Sequence, residues 1–138
     1  MKADSLIAAA AEARERAHCP YSGYAVGAAL MAGGKVYGGC NVENVSYGLT
    51  LCAERAAVLA AVCAGERAFS ALALVTADGA TPCGACLQVL AEFACPDLPI
   101  YAATPNGRYR TWTLGDLLPQ TFRSDLVKRK ARPGGLRE

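Results

Sequence analysis

Two short cysteine-bearing segments constrain the fold of this chain more than any other feature. They are Cys52-Ala53-Glu54 and Pro82-Cys83-Gly84-Ala85-Cys86. Each stands where a strand or loop pattern gives way to a helical one. A Cys-x-x-Cys pair at a helix start places two sulfur atoms on the same side of one turn, and the positive end of the helix dipole favours thiolates there. Cys52, at the start of another helix, would supply a third thiolate from a facing element.

Helical and strand-like patterns alternate along the rest of the chain. The first helix is capped by Asp4 or Ser5 and ends before Pro20. Two strands joined at Ala32-Gly33-Gly34 form a hairpin, which makes one antiparallel pair. The pattern predicts an α/β protein, a three-layer α/β/α sandwich around one mixed sheet of about five strands. The remaining expected elements are strands 24–31, 35–40, 71–77, 98–102 and 108–113, helices 51–64 and 83–93, and a short turn or helix within 114–122.

The charge pattern separates a single folded domain, residues 1–126, from a basic tail, residues 127–138. The domain holds nine Lys/Arg against eleven Asp/Glu, and the tail holds five against one. A short basic terminus is typical of a frayed, solvated segment. A surface that follows a nucleic-acid backbone needs basic residues clustered on the folded face. We therefore expect no nucleic-acid partner.

The seven cysteines of the 138-residue chain argue for metal binding rather than disulfides. Seven is an odd number, and the N-terminus does not have the shape of an export signal. No apolar run reaches the roughly 18 residues that span a bilayer. The sequence therefore predicts a cytoplasmic protein with no membrane partner. Its 53% apolar content indicates a sheet covered on both faces or surface buried in an oligomer.

The three cysteines and Glu54 suggest a catalytic zinc site. Three protein ligands leave one tetrahedral position open, as catalytic zinc sites do. Glu54 follows Cys52 by two residues, so it projects near the metal without having to bind it. It can act there as general acid and base on water. This arrangement matches the zinc deaminases, in which three cysteines are one accepted ligand set.

Arg55 follows the candidate catalytic glutamate directly. Three thiolates and one Zn²⁺ carry a net charge of −1, which opposes ionisation of the attacking water. Arg55 is placed to donate hydrogen bonds to the ligand sulfurs and offset that charge. We expect Arg55→Gln to raise the pH at which activity appears. The alternative is a solvated helix arginine.

Other interpretations of the cysteines remain open at this point. Cys-x-x-Cys alone could be a redox dithiol, which would leave Cys52-Ala53-Glu54 without a role. A structural zinc in a non-enzymatic interaction domain would need a fourth protein ligand. His18, the only histidine, is expected to cap the first helix or lie in a loop. The candidate fourth cysteines are Cys19, Cys40, Cys63 and Cys95.

Taken together, the motifs resemble the small, homotetrameric cytidine deaminases. The similarity covers most of residues 6–122 in the family's order, and it is far more specific than the Cys-x-x-Cys alone. The matching stretches are Pro20-Tyr21-Ser22, Val26 to Leu30, Cys40 to Thr50, Cys52-Ala53-Glu54-Arg55, Pro82 to Cys86 with Gln88-Val89-Leu90, and Leu117-Leu118-Pro119 with Phe122.

The resemblance implies one Zn²⁺ per subunit, held by Cys52, Cys83 and Cys86, with Glu54 as the catalytic residue. The implied reaction converts cytidine or deoxycytidine to uridine or deoxyuridine plus ammonia, a step of pyrimidine salvage. The implied assembly is a homotetramer with shared active sites. A modified cytosine nucleoside or a cytosine-containing antibiotic is the alternative substrate.

The resemblance also implies substrate contacts. Asn41 and Glu43 correspond to the pair that binds the ribose 3′-hydroxyl, and the Ala53 backbone to a contact with the base edge. Tyr24 stands near the pyrimidine, where the family usually has Phe, so its hydroxyl needs a partner. Leu87 stands where the family commonly has Arg. The residues implied to reach a neighbouring subunit's site are Val45, Tyr47 and Phe122.

Overall fold

The computed structural model describes residues 3–122, which form four α-helices and five β-strands. The basic tail predicted for residues 127–138 lies outside the described residues. Within residues 3–122, no helix has the length and apolar character needed to cross a lipid bilayer. In chain order the elements are α1 (Ala3–Arg14), β1 (Gly27–Ala32), β2 (Lys35–Cys40), a 3₁₀ turn (Tyr47–Leu49), α2 (Ala53–Cys63), β3 (Phe69–Val75), α3 (Gly84–Ala91), β4 (Pro99–Ala103), β5 (Tyr109–Thr113) and α4 (Leu114–Leu117).

The five strands form one mixed sheet in the order β2-β1-β3-β4-β5. Only β3 and β4 run parallel, and the other neighbours are antiparallel. The hairpin between β1 and β2 turns through Gly33 and Gly34, whose φ angles are 58° and 74°. A two-residue loop with positive φ at both positions matches the right-handed twist of the strands, which explains why two glycines stand there.

Helices cover both faces of the sheet. Leu6, Ile7 and Ala10 of α1 pack with Ala29 and Ala73 on one face. On the other face, α2 and α3 pack against the alternate residues of the same strands. This alternation explains the apolar richness of the strands, because both faces are buried. The predicted three-layer sandwich around a five-stranded mixed sheet is confirmed. The second core includes Ala28, Leu30, Ala57, Leu72, Leu74, Leu87, Leu90 and Ile100.

Glycines allow the helices to lie unusually close to the sheet. A Cβ on Gly39 of β2 would stand 2.4 Å from the Ala53 carbonyl oxygen and 2.5 Å from the Ala57 nitrogen. A Cβ on Gly27 would stand 2.0 Å from the Ala10 carbonyl oxygen on the other face. The first turn of α2, which follows Cys52 and contains Glu54, is therefore set directly on β2.

The structure corrects several expected element boundaries. The first strand begins at Gly27, not Tyr24, because the Asn41 side chain binds the backbone before it. Asn41 Oδ1 accepts from the Val26 N–H at 2.9 Å, and Asn41 Nδ2 donates to the Tyr24 carbonyl at 2.8 Å. The third strand begins at Phe69, two residues earlier than expected. Helices α2 and α3 begin one residue after Cys52 and Cys83, which makes those cysteines the N-cap residues.

Candidate active site

The sulfur atoms of Cys52, Cys83 and Cys86 form one cluster. Cys83 Sγ lies 4.0 Å from Cys52 Sγ and 3.4 Å from Cys86 Sγ, and all three lie within 4.8 Å of one another. A tetrahedral zinc with Zn–S bonds of about 2.3 Å separates its sulfur ligands by about 3.8 Å. The donor set and the spacing therefore fit Zn²⁺.

Helix starts bring these sulfurs together. Cys52 caps α2 and Cys83 caps α3, both in extended backbone conformation, and neither helix start has a side-chain cap. Cys86 lies within the first turn of α3 and is buried. The positive ends of two helix dipoles therefore point toward the cluster and stabilise negative charge on sulfur.

Electrostatics within the cluster favour one thiolate over its neighbour. The pKa of Cys52 is lowered, first by the hydrogen bond from the Cys86 thiol and then by Arg55. The pKa of Cys86 is raised, because the Cys52 sulfur holds its proton and because the thiol is buried. A metal cation would replace that proton, since zinc ligands bind as thiolates.

The Arg55 guanidinium lies against the sulfurs. Its Nη2 donates to Cys52 Sγ at 3.3 Å. Its pKa is raised, chiefly by that hydrogen bond and then by the neighbouring Cys86. Its Nε is buried, and no acceptor among residues 3–122 reaches it. The partly buried arginine thus places its positive charge against the thiols.

Glu54 is a buried carboxyl beside this cluster, with only 5% of its surface exposed. Burial raises the pKa of Glu54 to about 7, and the negative charge of Cys52 adds to that rise. A carboxyl group with a pKa near the working pH can both accept and return a proton. Glu54 therefore has the environment of a general acid and base.

A cavity of about 260 Å³ opens over the cluster. Ligand pockets commonly have about 300–1,000 Å³, so this one suits a small molecule. The described lining contains no Lys or Arg side chain. Predicted site residues that line it are Tyr24, Asn41, Glu43, Cys52, Ala53, Glu54 and Cys83.

Asn41 and Glu43 both line the cavity, and each is already anchored by protein hydrogen bonds. Glu43 Oε1 accepts from the backbone N–H groups of Tyr21 at 2.9 Å and Ser22 at 3.1 Å. The Ser22 hydroxyl donates to Glu43 Oε2. These donors, the Ser22 side chain first, lower the pKa of Glu43. The carboxylate and the Asn41 amide each retain hydrogen-bonding capacity toward a ligand.

Sequence reasoning missed the partner of Tyr24. Its hydroxyl donates to Asp78 Oδ1 at 2.6 Å. Burial raises the pKa of Tyr24, and the bond to Asp78 adds to that rise. Asp78 lies 54 residues away along the chain. The only signal in the sequence was the tyrosine hydroxyl itself, which required some partner.

Three predicted substrate contacts do not line the cavity above the sulfurs. Val45, Tyr47 and Phe122 are 78%, 71% and 75% exposed. Tyr47 lines a neighbouring cavity with Glu43, and its ring packs edge-on against Tyr21 at 5.4 Å between centroids. Phe122 is held by its carbonyl, which accepts from Gln88 Nε2 at 3.0 Å.

The alternative metal ligands lie elsewhere. Among residues 3–122, the three-cysteine cluster contains no histidine and no fourth cysteine. His18 is exposed, and its backbone N–H donates to the Asn41 carbonyl at 2.9 Å. Cys63 and Cys95 are exposed and stand outside the cluster, as do Cys19 and Cys40. The described residues therefore offer three thiol ligands in this cluster and no fourth histidine, cysteine or carboxylate ligand.

Comparison with known proteins agrees with this geometry. Residues 1–102 match the family model described as the cytidine and deoxycytidylate deaminase zinc-binding region. The chain is 47% identical to a cytidine deaminase from Sporosarcina psychrophila over 88% of this chain and 92% of that one. It is 48% identical to one from Mycobacterium tuberculosis, covering 89% and 91%.

A solved structure also superimposes closely. The crystal structure of cytidine deaminase from Burkholderia pseudomallei matches with a TM-score of 0.85 and 48% identity, covering 88% of this chain and 100% of that one. The three-thiol cluster, the buried glutamate beside it, the fold and these matches lead to one assignment. The chain belongs to the zinc-dependent cytidine deaminase family.

Proposed function

We propose that this chain catalyses the hydrolytic deamination of cytidine and deoxycytidine, giving uridine or deoxyuridine and ammonia. One observation carries the proposal: Cys52, Cys83 and the buried Glu54 carboxyl line a single cavity, and the third thiol, Cys86, lies within 4.8 Å of the other two sulfurs. Cys52, Cys83 and Cys86 would hold Zn²⁺. When bound, the zinc supplies Lewis-acid activation of a water molecule.

Glu54 would move the protons of the reaction. It accepts a proton from the attacking water and delivers it to N3 of the cytosine ring. A bond then exists between the water oxygen and C4, and the ring is no longer aromatic there. Glu54 next takes the remaining proton from the oxygen now bonded to C4 and passes it to the exocyclic amine. The C4–N bond then breaks as the C4=O bond forms, and ammonia leaves. One carboxyl group serves both steps because its raised pKa allows it to hold either protonation state.

Asn41 and Glu43 would bind the sugar. A sugar hydroxyl needs one acceptor and one donor, and a carboxylate with an amide supplies both. Both side chains are fixed by protein hydrogen bonds before any ligand arrives, which limits the entropy lost on binding. We propose that the Ala53 backbone contacts the edge of the base and that Tyr24 forms one wall of the base pocket. Both residues line the same cavity.

The charge of the cavity favours nucleosides over nucleotides. Its described lining contains the acidic residues Glu43 and Glu54 and no lysine or arginine. A phosphate group is normally held by Arg, Lys or a helix N-terminus. Both described helix starts at the cavity are occupied by the cysteine cluster. We therefore propose a free nucleoside substrate, used in pyrimidine salvage in the cytoplasm.

We further propose a homotetramer whose active sites are shared between subunits. Several large apolar side chains stand exposed in a single subunit, and two of them, Tyr21 and Tyr47, line a cavity together with Glu43. Clustered exposed apolar residues of this kind mark interaction surfaces. We propose that Val45 and Tyr47 reach the ribose end of a neighbouring subunit's site. Phe122 would pack on the base in the site of another subunit. The exposed set is Tyr21, Val42, Val45, Tyr47, Leu49 and Phe122.

An ultraviolet assay of cytidine conversion tests the activity directly. The purified protein should convert cytidine to uridine with release of one ammonia per turnover, and should leave deoxycytidylate essentially unchanged. Prolonged treatment with a zinc chelator should abolish the activity, and added Zn²⁺ should restore it. Failure to convert cytidine or deoxycytidine with one zinc bound per chain would overturn the proposal. A panel of modified cytosine nucleosides would then identify the substrate.

A further inference from the structure

The Tyr24 side chain is anchored at both ends on the wall of the active-site cavity. At the backbone end, its N–H donates to Ser22 Oγ at 3.0 Å, and its carbonyl accepts from Asn41 Nδ2 at 2.8 Å. At the other end, its hydroxyl donates to Asp78 Oδ1 at 2.6 Å. Tyr24 as a whole is 38% exposed, so the residue has open space beside it.

Asp78 is itself held in place. The Thr76 hydroxyl donates to the same Asp78 oxygen at 3.2 Å, and Thr76 Oγ1 accepts from the Ala80 N–H at 2.9 Å. Thr76 is buried and lines the cavity together with Ala80. The hydrogen bond from Tyr24 lowers the pKa of Asp78, so the carboxylate remains an acceptor at neutral pH. The bond joins the segment before β1 to the turn that leads from β3 to Cys83.

We propose that Tyr24 and Asp78 form a positioning pair that fixes the aromatic wall of the cavity for nucleoside binding. This inference rests on the proposed function. Without the bond to Asp78, the ring is free to turn into other rotamers, and substrate binding must then order it. Ordering one such side chain weakens binding by about 3- to 10-fold. Because the pair acts on substrate binding rather than on proton transfer, turnover of bound substrate should change little.

Three variants test the positioning pair. Tyr24→Phe and Asp78→Ala should each raise KM for cytidine by about 3- to 10-fold while kcat stays within about twofold. Asp78→Asn should keep a KM near that of the wild type, because the amide oxygen still accepts from Tyr24 and Thr76. The double variant Tyr24→Phe/Asp78→Ala should be no worse than either single variant, since both remove the same bond.

Matched controls remove the same groups away from the cavity. Tyr37→Phe on β2, which removes a hydroxyl that donates to Glu66, and Asp97→Ala in an exposed turn should leave KM and kcat unchanged. Zinc content should equal that of the wild type in every variant. An unchanged KM in Tyr24→Phe or Asp78→Ala, additive effects in the double variant, or no rescue by Asp78→Asn would overturn the pairing alone. A wild type that converts no cytidine would instead overturn the proposed function, and this inference with it.

Discussion

At the scale of single residues, the charge around the sulfur cluster is the feature that most needs explanation. Three thiolates with one Zn²⁺ leave a net negative charge, and Glu54 adds another carboxyl nearby. Two helix dipoles and the Arg55 guanidinium, which contacts Cys52 Sγ at 3.3 Å, offset that charge. We infer that Arg55 tunes the site without touching the substrate.

Replacement of Arg55 tests this inference. In Arg55→Gln the site gains net negative charge, which makes loss of a proton from the attacking water harder. The acidic limb of the kcat–pH profile should therefore move to higher pH, and kcat at neutral pH should fall about 10- to 100-fold. Zinc content per chain, measured in parallel, should stay near one. An unchanged pH profile with zinc retained would mean that Arg55 does not tune the site.

Some features of the site could be predicted from the sequence and others could not. Cys52, Cys83 and Cys86 were predictable because each lies at a helix start, and the thiol cluster they form is present. The Tyr24–Asp78 bond was not predictable, because nothing local links residues 54 positions apart. Leu87 stands where the family commonly has Arg, and the sequence alone did not say what surrounds it. The structure places Leu87 in the core, where an apolar side chain fits.

At the scale of elements, the close contact between α2 and β2 determines where Cys52 and Glu54 lie. Gly39 leaves room for the backbone of the first turn of α2. Alternating apolar patterns predicted that α2 and β2 exist and that both faces of the sheet are covered. They could not predict where β1 begins. Before Gly27, backbone groups of the chain bond to the Asn41 side chain instead of to a neighbouring strand. Long-range side-chain bonds of this kind leave no periodic signal.

A pair of glycine variants measures the importance of this contact. In Gly39→Ala the new methyl would collide with backbone atoms of Ala53 and Ala57, so α2 must move away from the sheet. We expect a loss of stability of about 1–3 kcal/mol, seen as a lower Tm at fixed protein concentration. We also expect kcat to fall by about 100-fold, because Glu54 moves with the helix.

Gly38→Ala on the neighbouring position is the control. Its methyl would meet the Ala13 side chain at 3.6 Å and the Ala28 carbonyl oxygen at 3.9 Å, both ordinary contact distances. Tm and kcat should both stay close to the wild-type values. Equal effects of the two substitutions would show that close packing of α2 on β2 does not position the site.

At the scale of the whole molecule, we propose that the exposed aromatic residues connect assembly with activity. Tyr47 and Phe122 are more than two-thirds exposed in the single chain, although the family resemblance assigns them to substrate binding. Burial against a second copy would remove this apolar surface from water and bring both rings to a neighbouring cavity. We therefore expect a solution mass about four times the 14.3 kDa of the chain.

Co-expression of two inactive variants tests for shared sites. Glu54→Gln lacks the proton-transferring group, and Phe122→Ala lacks the aromatic ring offered to a neighbour. In mixed tetramers, sites that keep their own Glu54 and receive Phe122 from the other chain should be active. Random assortment predicts roughly a quarter of the wild-type activity at low cytidine concentration. Separately purified variants mixed without subunit exchange are the control, and activity no higher than theirs would indicate self-contained sites.

The central claim is that Glu54 moves protons beside zinc held by three thiolates. Its most direct test is the kcat of Glu54→Gln for cytidine, expressed per bound zinc. The exposed Glu12→Gln on α1 serves as the matched control. We predict one zinc per chain in all three proteins, wild-type kcat in Glu12→Gln, and a kcat at least about 10²- to 10⁴-fold lower in Glu54→Gln. A zinc-loaded Glu54→Gln protein that turns over cytidine at the wild-type rate would contradict the account.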